Sequence, residues 1–430
     1  MDRLGTANRV VWNDDTPEAI GTAFEGGTAT YDAAVIGGGF TGLSAALSLA
    51  RRGLSTVLLE AGPLAGKASG RNGGQVVPGL KPAPEELVGR FGRHDTTRMM
   101  RFANSAADYA FGLIDELGID CAPTRNGWIQ CAVSTRARDR LFNRVRELER
   151  WGANVATMSA DDMARDTGAR CYAGGYIELG AGSVHPRKFA LGLADAAAKA
   201  GATLHGNTPV QALTRADSRW TLALDRGHVH ARSVVLATDA YTADFYPNMM
   251  HSMVHVSSAQ AATEPLPAEL LRHILPRRAG ISEARKLTVY CRISPDGRFL
   301  IGGRGTAGDT ADASTLQRLR MAACQRFPML NHVRWDALWA GRVSLTLDDV
   351  PHLHSPAPDL WTACGYGGRG VALAVRFGPT LAEAVIGVPP TQLDYPVTSL
   401  RTLPWHRVHS PAVRAAIHWH RLRDALGFPA

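Results

Sequence analysis

The clearest pattern along the chain lies between Tyr31 and Gly62. Ala33, Ala34, Val35 and Ile36 form a short unbroken apolar run, which predicts a buried strand. Gly37-Gly38-Gly39-Phe40-Thr41-Gly42 follows, and then alanine and leucine at helical spacing. A second apolar run, from Thr56 to Leu59, ends at Glu60. Strand, glycine turn, helix, strand and acid is the order a dinucleotide site requires. Gly37 allows the tight turn, Gly39 lets the backbone approach a pyrophosphate, and Gly42 lets the helix lie close to the strand. The helix N-terminus offers unpaired N–H groups and the positive end of its dipole to phosphates. Glu60 is placed to accept hydrogen bonds from an adenosine ribose.

The rest of the pattern is α/β. The first thirty residues predict an irregular arm, and the segment after Glu60 predicts a long glycine-rich loop with too few apolar positions for a regular element. Helical periodicity runs from Pro84 to Leu117 and again from Asp139 to Trp151, with a strand expected at Gly127 to Val133 between them. Ser183 to Val210 predicts a helix and then a strand, and Arg232 to Thr242 a buried strand ending in a small-residue turn. Paired strands are expected in Lys286 to Gly303 around the turn Ser294-Pro295-Asp296-Gly297. Trp361 to Val385 repeats strand, glycine turn and helix without the first fingerprint's spacing. There is no internal repeat or flexible linker, so the domains are expected to interleave.

Composition narrows the class. The 430 residues are 45% apolar and 20% charged, ordinary for two or three globular domains. No apolar run reaches membrane-spanning length, and the acidic N-terminal stretch argues against a signal peptide, so a cytoplasmic enzyme is expected. The cysteines lack metal or redox spacing, which predicts free thiols and no metal site. A net charge of +8 is spread along the chain, with a modest excess after Arg401, where Val413, Ile417, Trp419, Leu422 and Leu426 predict an amphipathic terminal helix.

Seven short motifs carry a family resemblance over nearly the whole chain: VIGGGFTGLSAA, SGRNGGQ, the VHP-to-TPV unit, ATDAYT, TEPL, GRFLIGGRG and GYGGRGVA. In this order they resemble the D-amino-acid-oxidase-like (DAO) family of FAD-dependent oxidoreductases, most closely the gamma-glutamylputrescine oxidase branch. The resemblance implies a Rossmann-like FAD domain with a mixed parallel sheet, formed by residues 31–95, 175–245 and 335–390. It also implies an interleaved substrate domain with a large antiparallel sheet, residues 96–174 and 246–334, and a helical segment at 391–430. Carried over, Gly37, Gly39, Phe40 and Thr41 would hold the pyrophosphate and Glu60 the ribose. Ser69, Arg71, Asn72, Gly73, Gly74 and Gln75 would run along the cofactor toward its ring. Val210 would present backbone to the adenine, and Thr238 sits in a second cofactor turn. Gly367, Gly368, Gly370 and Val371 match the turn at the pyrimidine side. Sarcosine-oxidase-like relatives tether flavin through a cysteine ahead of T-x-D, where this chain has Gly341. The histidine used by other relatives corresponds to Arg71. Non-covalent FAD is therefore expected.

No acid–base dyad stands out, which suits chemistry in which the cofactor accepts a hydride from the carbon next to an amine. Arg304 matches a position facing the ring in relatives and is the expected grip for a substrate carboxylate. Tyr290 and Arg292 alternate onto one face of a strand, and Tyr366 adjoins the flavin glycines. The expected partners are a small amine or amino acid and either oxygen or an electron carrier. Leu300 stands where sarcosine-oxidase-like members have an oxygen-activating lysine, so a dehydrogenase is the alternative to an oxidase. A flavoenzyme acting on a transfer-RNA base is a further alternative, favoured by the basic charge but not by any basic stretch interleaved with aromatics outside the terminal helix. A non-enzymatic dinucleotide-binding protein is the remaining one.

Overall fold

The computed structural model describes residues 8–16, 20–243, 245–285, 288–305 and 308–403. Strand Gly27–Ile36 lies at the centre of the larger sheet, parallel to Thr56–Leu59 on one side and to Gly227–Leu236 on the other. Thr203–His205 extends the parallel set beyond Thr56–Leu59, and Leu360–Cys364 extends it beyond Gly227–Leu236. Antiparallel strands at His352–Ala357, Ala212–Ala216 and Arg219–Leu224 complete a mixed sheet of nine with Val397–Thr398 at its edge. Strands buried on both faces read as unbroken apolar runs, which is why Ala33 to Ile36 and Thr56 to Leu59 were legible.

Helix Phe40–Arg51 covers this sheet and packs on helix Gly370–Val385. The two backbones approach so closely that a Cβ on Gly378 would overlap Ser44, whose hydroxyl donates to the Val375 carbonyl at 2.7 Å. The long helix Pro84–Leu117, broken at Gly92 (φ 77°), joins the same layer through Phe102, which meets Phe377 at 4.5 Å between ring centroids.

The second sheet has eight strands in the order Trp335–Leu345, Val254–Pro265, Arg298–Arg304, Tyr290–Ile293, Gly280–Glu283, Trp128–Ala132, Gly174–Glu178 and Val155–Met158. All its pairings are antiparallel except Gly280–Glu283 with Trp128–Ala132. One face is apolar and backed by helix Ala313–Arg326 through Leu319 and Ala323. The other face carries Tyr176, Gln130, Ser282, Tyr290, Ser258 and Gln260, because register partners share a face.

The chain does interleave, but three expected boundaries move. Strands Gly174–Glu178 and Trp335–Leu345 hydrogen-bond into the eight-stranded sheet, so neither belongs with the parallel half. Helical residues 96–117, expected with the substrate half, pack instead on the helices of the parallel half. Within 391–403 the chain forms an edge strand rather than a helix, and the expected amphipathic helix lies outside the described residues. The helix expected from Asp139 begins at Thr135, where the Ser134 hydroxyl accepts from the Ala137 N–H. The irregular arm is docked: Val10, Val11 and Trp12 pack with Ala262, Leu300, Ala337 and Trp339. The loop after Glu60 contains one helical turn, Ala68–Arg71, and a two-residue strand at Gln75–Val76.

Candidate active site

Three turns meet at the carboxyl ends of neighbouring parallel strands, where ligands bind in such sheets. The first follows Ile36. Gly37 has φ 113°, a conformation that favours glycine, and a Cβ there would press on the Ala237 carbonyl at 2.7 Å. A Cβ on Gly42 would overlap the Gly37 carbonyl oxygen, so this glycine is demanded by the fold itself. At Gly39 the nearest obstacle is only the Ser69 hydroxyl, at 2.8 Å, which also accepts from the Phe40 N–H at 2.9 Å. Apart from Ser69 nothing lies within 4 Å of such a Cβ, so the turn is open on the side away from that residue. Glu60 sits beside it, its carboxylate accepting from the N–H groups of Gly38 (2.6 Å) and Gly62 (3.0 Å).

The second turn follows Leu236. Thr238 bonds the Thr242 hydroxyl at 2.7 Å, and half-buried Asp239 accepts from Ser344 Oγ (2.5 Å) and the Gly365 N–H (2.8 Å). Burial raises the Asp239 pKa, and these hydrogen bonds oppose the rise. The third turn, Gly365 to Gly368, has positive φ at Gly365, Gly367 and Gly368 and leads into the N-terminus of helix Gly370–Val385. Arg369, at its N-cap position, offers no side-chain cap, so the first N–H groups are available to a ligand.

The segment Ser69 to Gln75 lies on the polar face of the eight-stranded sheet. The Arg71 carbonyl accepts from Trp339 Nε1 at 2.7 Å and from Gln260 Nε2 at 3.0 Å. The Asn72 carbonyl accepts from Trp12 Nε1 at 2.8 Å. The Asn72 side chain donates to the carbonyls of Ala68 and Ser69 and accepts from the Gly74 N–H. A Cβ on Gly73 would stand 3.4 Å from both Gln260 Oε1 and the Tyr290 ring, and one on Gly302 would overlap Tyr290. Two glycines therefore make room around one tyrosine. Arg71 donates from Nε to the Gly66 carbonyl at 2.9 Å. Val210 lies in the link between Thr203–His205 and Ala212–Ala216.

Of the residues expected to meet substrate, Tyr290 and Arg304 occupy the polar face, Arg304 opposite Ser258. The Tyr290 hydroxyl bonds Ser258 Oγ at 3.1 Å, and burial pushes its pKa up to about 12, so it remains a protonated hydrogen-bonding group. Tyr366 corrects the expectation. It is buried, and its hydroxyl is taken up by Thr41 Oγ1 (2.7 Å) and the Ala363 carbonyl (3.0 Å), tying the first glycine turn to the third. Arg292 is likewise buried, its guanidinium donating to the Val184 carbonyl at 2.9 Å and lying 5.1 Å from the centroid of the Trp12 ring. Burial lowers its pKa to about 9.

Several residues escaped the motif reading. Lys81 reaches the third turn: its Nζ would lie 3.3 Å from a Cβ on Gly367. It keeps solvent access and forms no ion pair among the described residues, and crowding by the protein lowers its pKa. Tyr241 donates to Asp309 at 3.0 Å and accepts from the Arg342 N–H at 2.9 Å, with Lys67 and Arg342 over its ring. Asp239 adjoins Thr238 in a motif already singled out, where a carboxylate in a small-residue turn was the available signal.

The arrangement fits a flavin dinucleotide. The Gly39 opening and Glu60 suit a pyrophosphate and ribose, and the glycine turn at Gly367 and the clamped Gly73 leave flat approaches on two sides. Gln75 Nε2 and Gln260 Oε1 are buried without hydrogen-bond partners, as expected of groups that await a polar ligand. Gly341 pairs with Ser258, and a Cβ there would make only ordinary contact with the Tyr241 hydroxyl at 3.5 Å. The absence of a cysteine is therefore chemical rather than steric. Among the described residues no helix is long and apolar enough to cross a membrane, and no group of three or more His, Cys, Asp or Glu residues could hold a metal ion.

Comparison with known proteins agrees with this geometry. The chain is 30% identical over 412 residues to gamma-glutamylputrescine oxidoreductase of Escherichia coli (strain K12), covering 93% of this chain and 94% of that protein. Its fold matches the crystal structure of glycine oxidase from Geobacillus kaustophilus with a TM-score of 0.70 at 23% identity, covering 83% of this chain and 95% of that one. It matches L-proline dehydrogenase from P. horikoshii with a TM-score of 0.71 at 18% identity, over 83% of this chain and 94% of that one. Residues 32–384 match the family described as DAO, FAD dependent oxidoreductase, and the chain belongs to that family.

Proposed function

We propose that this protein oxidises a carbon–nitrogen bond of a small amine or amino acid, releasing an imine that water hydrolyses, and that oxygen returns the cofactor to its oxidised state. FAD, held without a covalent link by Gly37 to Thr41, Glu60, the Ser69 to Gln75 segment and the Gly365 turn, supplies the hydride acceptor. The observation that carries the reading is the placement of Tyr290, Ser258 and Gln260, with two unpartnered buried amide atoms, against the clamped Gly73. These groups are neutral donors and acceptors: they can orient an amine and exclude water without abstracting a proton from carbon. Arg304 on the same face is the candidate grip for a substrate carboxylate. A relative named for gamma-glutamylputrescine and a structural neighbour named glycine oxidase support an amine or amino-acid donor.

A second reading, a dehydrogenase passing electrons to a quinone or carrier, is favoured by Leu300. Its side chain is apolar and buried among Trp12, Ala262, Ala337 and Trp339, so it offers no ammonium of its own to assist oxygen. The test is a screen of amines, N-methyl amino acids, cyclic imino acids and gamma-glutamyl amines for peroxide release, run beside a dye-coupled assay. Peroxide in proportion to substrate supports the oxidase, and dye reduction without peroxide supports the second reading. Silence in both assays with flavin bound would refute both.

A further inference from the structure

We propose that the N-terminal arm is part of the cofactor site, with Trp12 positioning the Asn72–Gly73 peptide so that the Gly73 N–H faces the flavin. The inference rests on the FAD reading above and adds a residue that none of the family motifs contains. Trp12 is only 2% exposed, in a stretch that the sequence pattern leaves irregular. Its ring packs edge-on against His185 (4.9 Å between centroids) and Trp339 (6.4 Å), and the Arg292 guanidinium covers it at 5.1 Å. With the indole held on three sides, its N–H has one direction, toward the Asn72 carbonyl at 2.8 Å.

A trans peptide is planar, so its N–H points opposite to its C=O. Drawing the Asn72 carbonyl toward Trp12 therefore turns the Gly73 N–H away from the arm. That N–H has no acceptor among the described residues, while its neighbours are satisfied: Asn72 N–H by the Ala68 carbonyl and Gly74 N–H by Asn72 Oδ1. The preceding carbonyl, of Arg71, is pulled by Trp339 and Gln260. Successive peptides are thus oriented by indoles far apart in the chain, Trp12 and Trp339, and a free donor is left where two glycines open the backbone to a flat ring. The arm is itself anchored, by Arg9 to Asp336 (3.3 Å), Asp15 to Lys188 (2.7 Å) and Thr16 to Arg187 (3.1 Å). A preorganised donor of this kind stabilises charge that develops on the ring as it is reduced.

The experiment compares Trp12→Phe with Val10→Ala in the full chain. Trp12→Phe keeps a ring in the pocket but removes the donor, and Val10→Ala loosens the arm while leaving the indole N–H. In Trp12→Phe the FAD dissociation constant should rise about tenfold, and the flavin midpoint potential should become more negative. Val10→Ala should lower the apoprotein melting temperature while leaving potential and flavin spectrum as in the wild type. Trp12→His, which retains a ring N–H, covers the case in which Trp12→Phe fails to fold, and its potential should lie nearer the wild type. Equal changes in Trp12→Phe and Val10→Ala, in proportion to lost stability, would reduce Trp12 to a packing residue and overturn the proposal. So would a wild-type potential in any folded variant that lacks the donor, or a Trp12→His potential displaced from the wild type at wild-type stability. A wild-type protein that takes up no FAD would instead overturn the functional reading.

Discussion

At the carboxyl ends of the parallel strands, the groups turned toward the site are mostly backbone: the turn at Gly37, the N–H groups of helix Phe40–Arg51, and the Gly365 to Gly368 turn. Across from them, the antiparallel sheet presents side chains: Tyr290, Ser258, Gln260 and Arg304. The two halves therefore differ in what mutation can do to them. A backbone site is damaged by adding atoms, and a side-chain site by removing them. They also differ in their traces in the sequence, since a backbone site must be written in glycine, whereas a side-chain site depends on register.

The largest effects should come from the glycines, and they should split into two kinds. Gly42→Val would drive a side chain into the Gly37 carbonyl, so loss of the folded protein is expected, read by circular dichroism and solubility. Gly39→Val meets only the Ser69 hydroxyl, so the protein should fold and melt cooperatively but take up no FAD. If Gly39→Val bound FAD normally, the phosphate would have to lie elsewhere.

On the opposite face, Arg304→Ala should reduce catalytic efficiency by about 2–4 kcal/mol for a carboxylate-bearing substrate, with the flavin content unchanged. Arg304→Lys should recover charge but not the planar fork, and so only part of the loss. Steady-state kinetics on the best substrate of the screen decides this. Wild-type efficiency in both variants would make Arg304 structural and move attention to Tyr290.

Glu60→Ala should weaken FAD binding by about 1–3 kcal/mol, because it removes the proposed ribose acceptor together with the hydrogen bonds that hold Gly38 and Gly62. Fluorescence titration measures it, and an unchanged affinity would show that the second strand's acid does not serve the cofactor.

A further effect, on stability and not on binding, concerns pH. His185 accepts the Lys188 N–H through Nδ1 at the start of helix Pro186–Lys199, and burial lowers its pKa from 6.5 to about 4. Its folded pKa lies below its unfolded one, so the unfolded chain binds the proton first. Stability should then fall as pH drops from 6.5 toward 4, by about 1–3 kcal/mol from this residue. His185→Asn, which can cap the helix but cannot charge, should flatten that part of the profile. His354, lowered to about 4 by its own burial, would continue to titrate. A profile identical to the wild type would show that His185 is not a source of the acid sensitivity.

Legibility followed the same division. The first βαβ unit, the interleaving and the order of the motifs could be read because buried parallel strands and glycine turns impose composition on the chain. The polar face could be read only in part. Register puts Tyr290 and Arg304 on one face, whereas Tyr366, open in the sequence to a substrate or a packing role, gives its hydroxyl to Thr41 and Ala363. Proximity in sequence to a glycine turn does not say which way a side chain leaves it. Trp12, Lys81 and Gln260 were missed for a different reason. Lys81 lies just past the glycine-rich loop, outside any motif, and only the tertiary contacts bring Trp12 and Gln260, remote in sequence, to adjacent carbonyls. The start of the third FAD segment was misplaced because Trp335 to Leu345 has the apolar character of a strand in either sheet, and only pairing with Val254–Pro265 decides between them.

The account stands or falls on whether these two faces enclose a flavin that takes a hydride from a carbon next to nitrogen. The direct measurement is anaerobic mixing of the purified yellow protein with each donor of the amine and amino-acid panel, following the flavin absorbance. Bleaching by at least one amine or amino acid, with release of the matching aldehyde or oxo acid and with the flavin separable on acid precipitation, is the predicted result. A protein that binds FAD yet is bleached by no such donor, and only by a reduced nicotinamide, would contradict it.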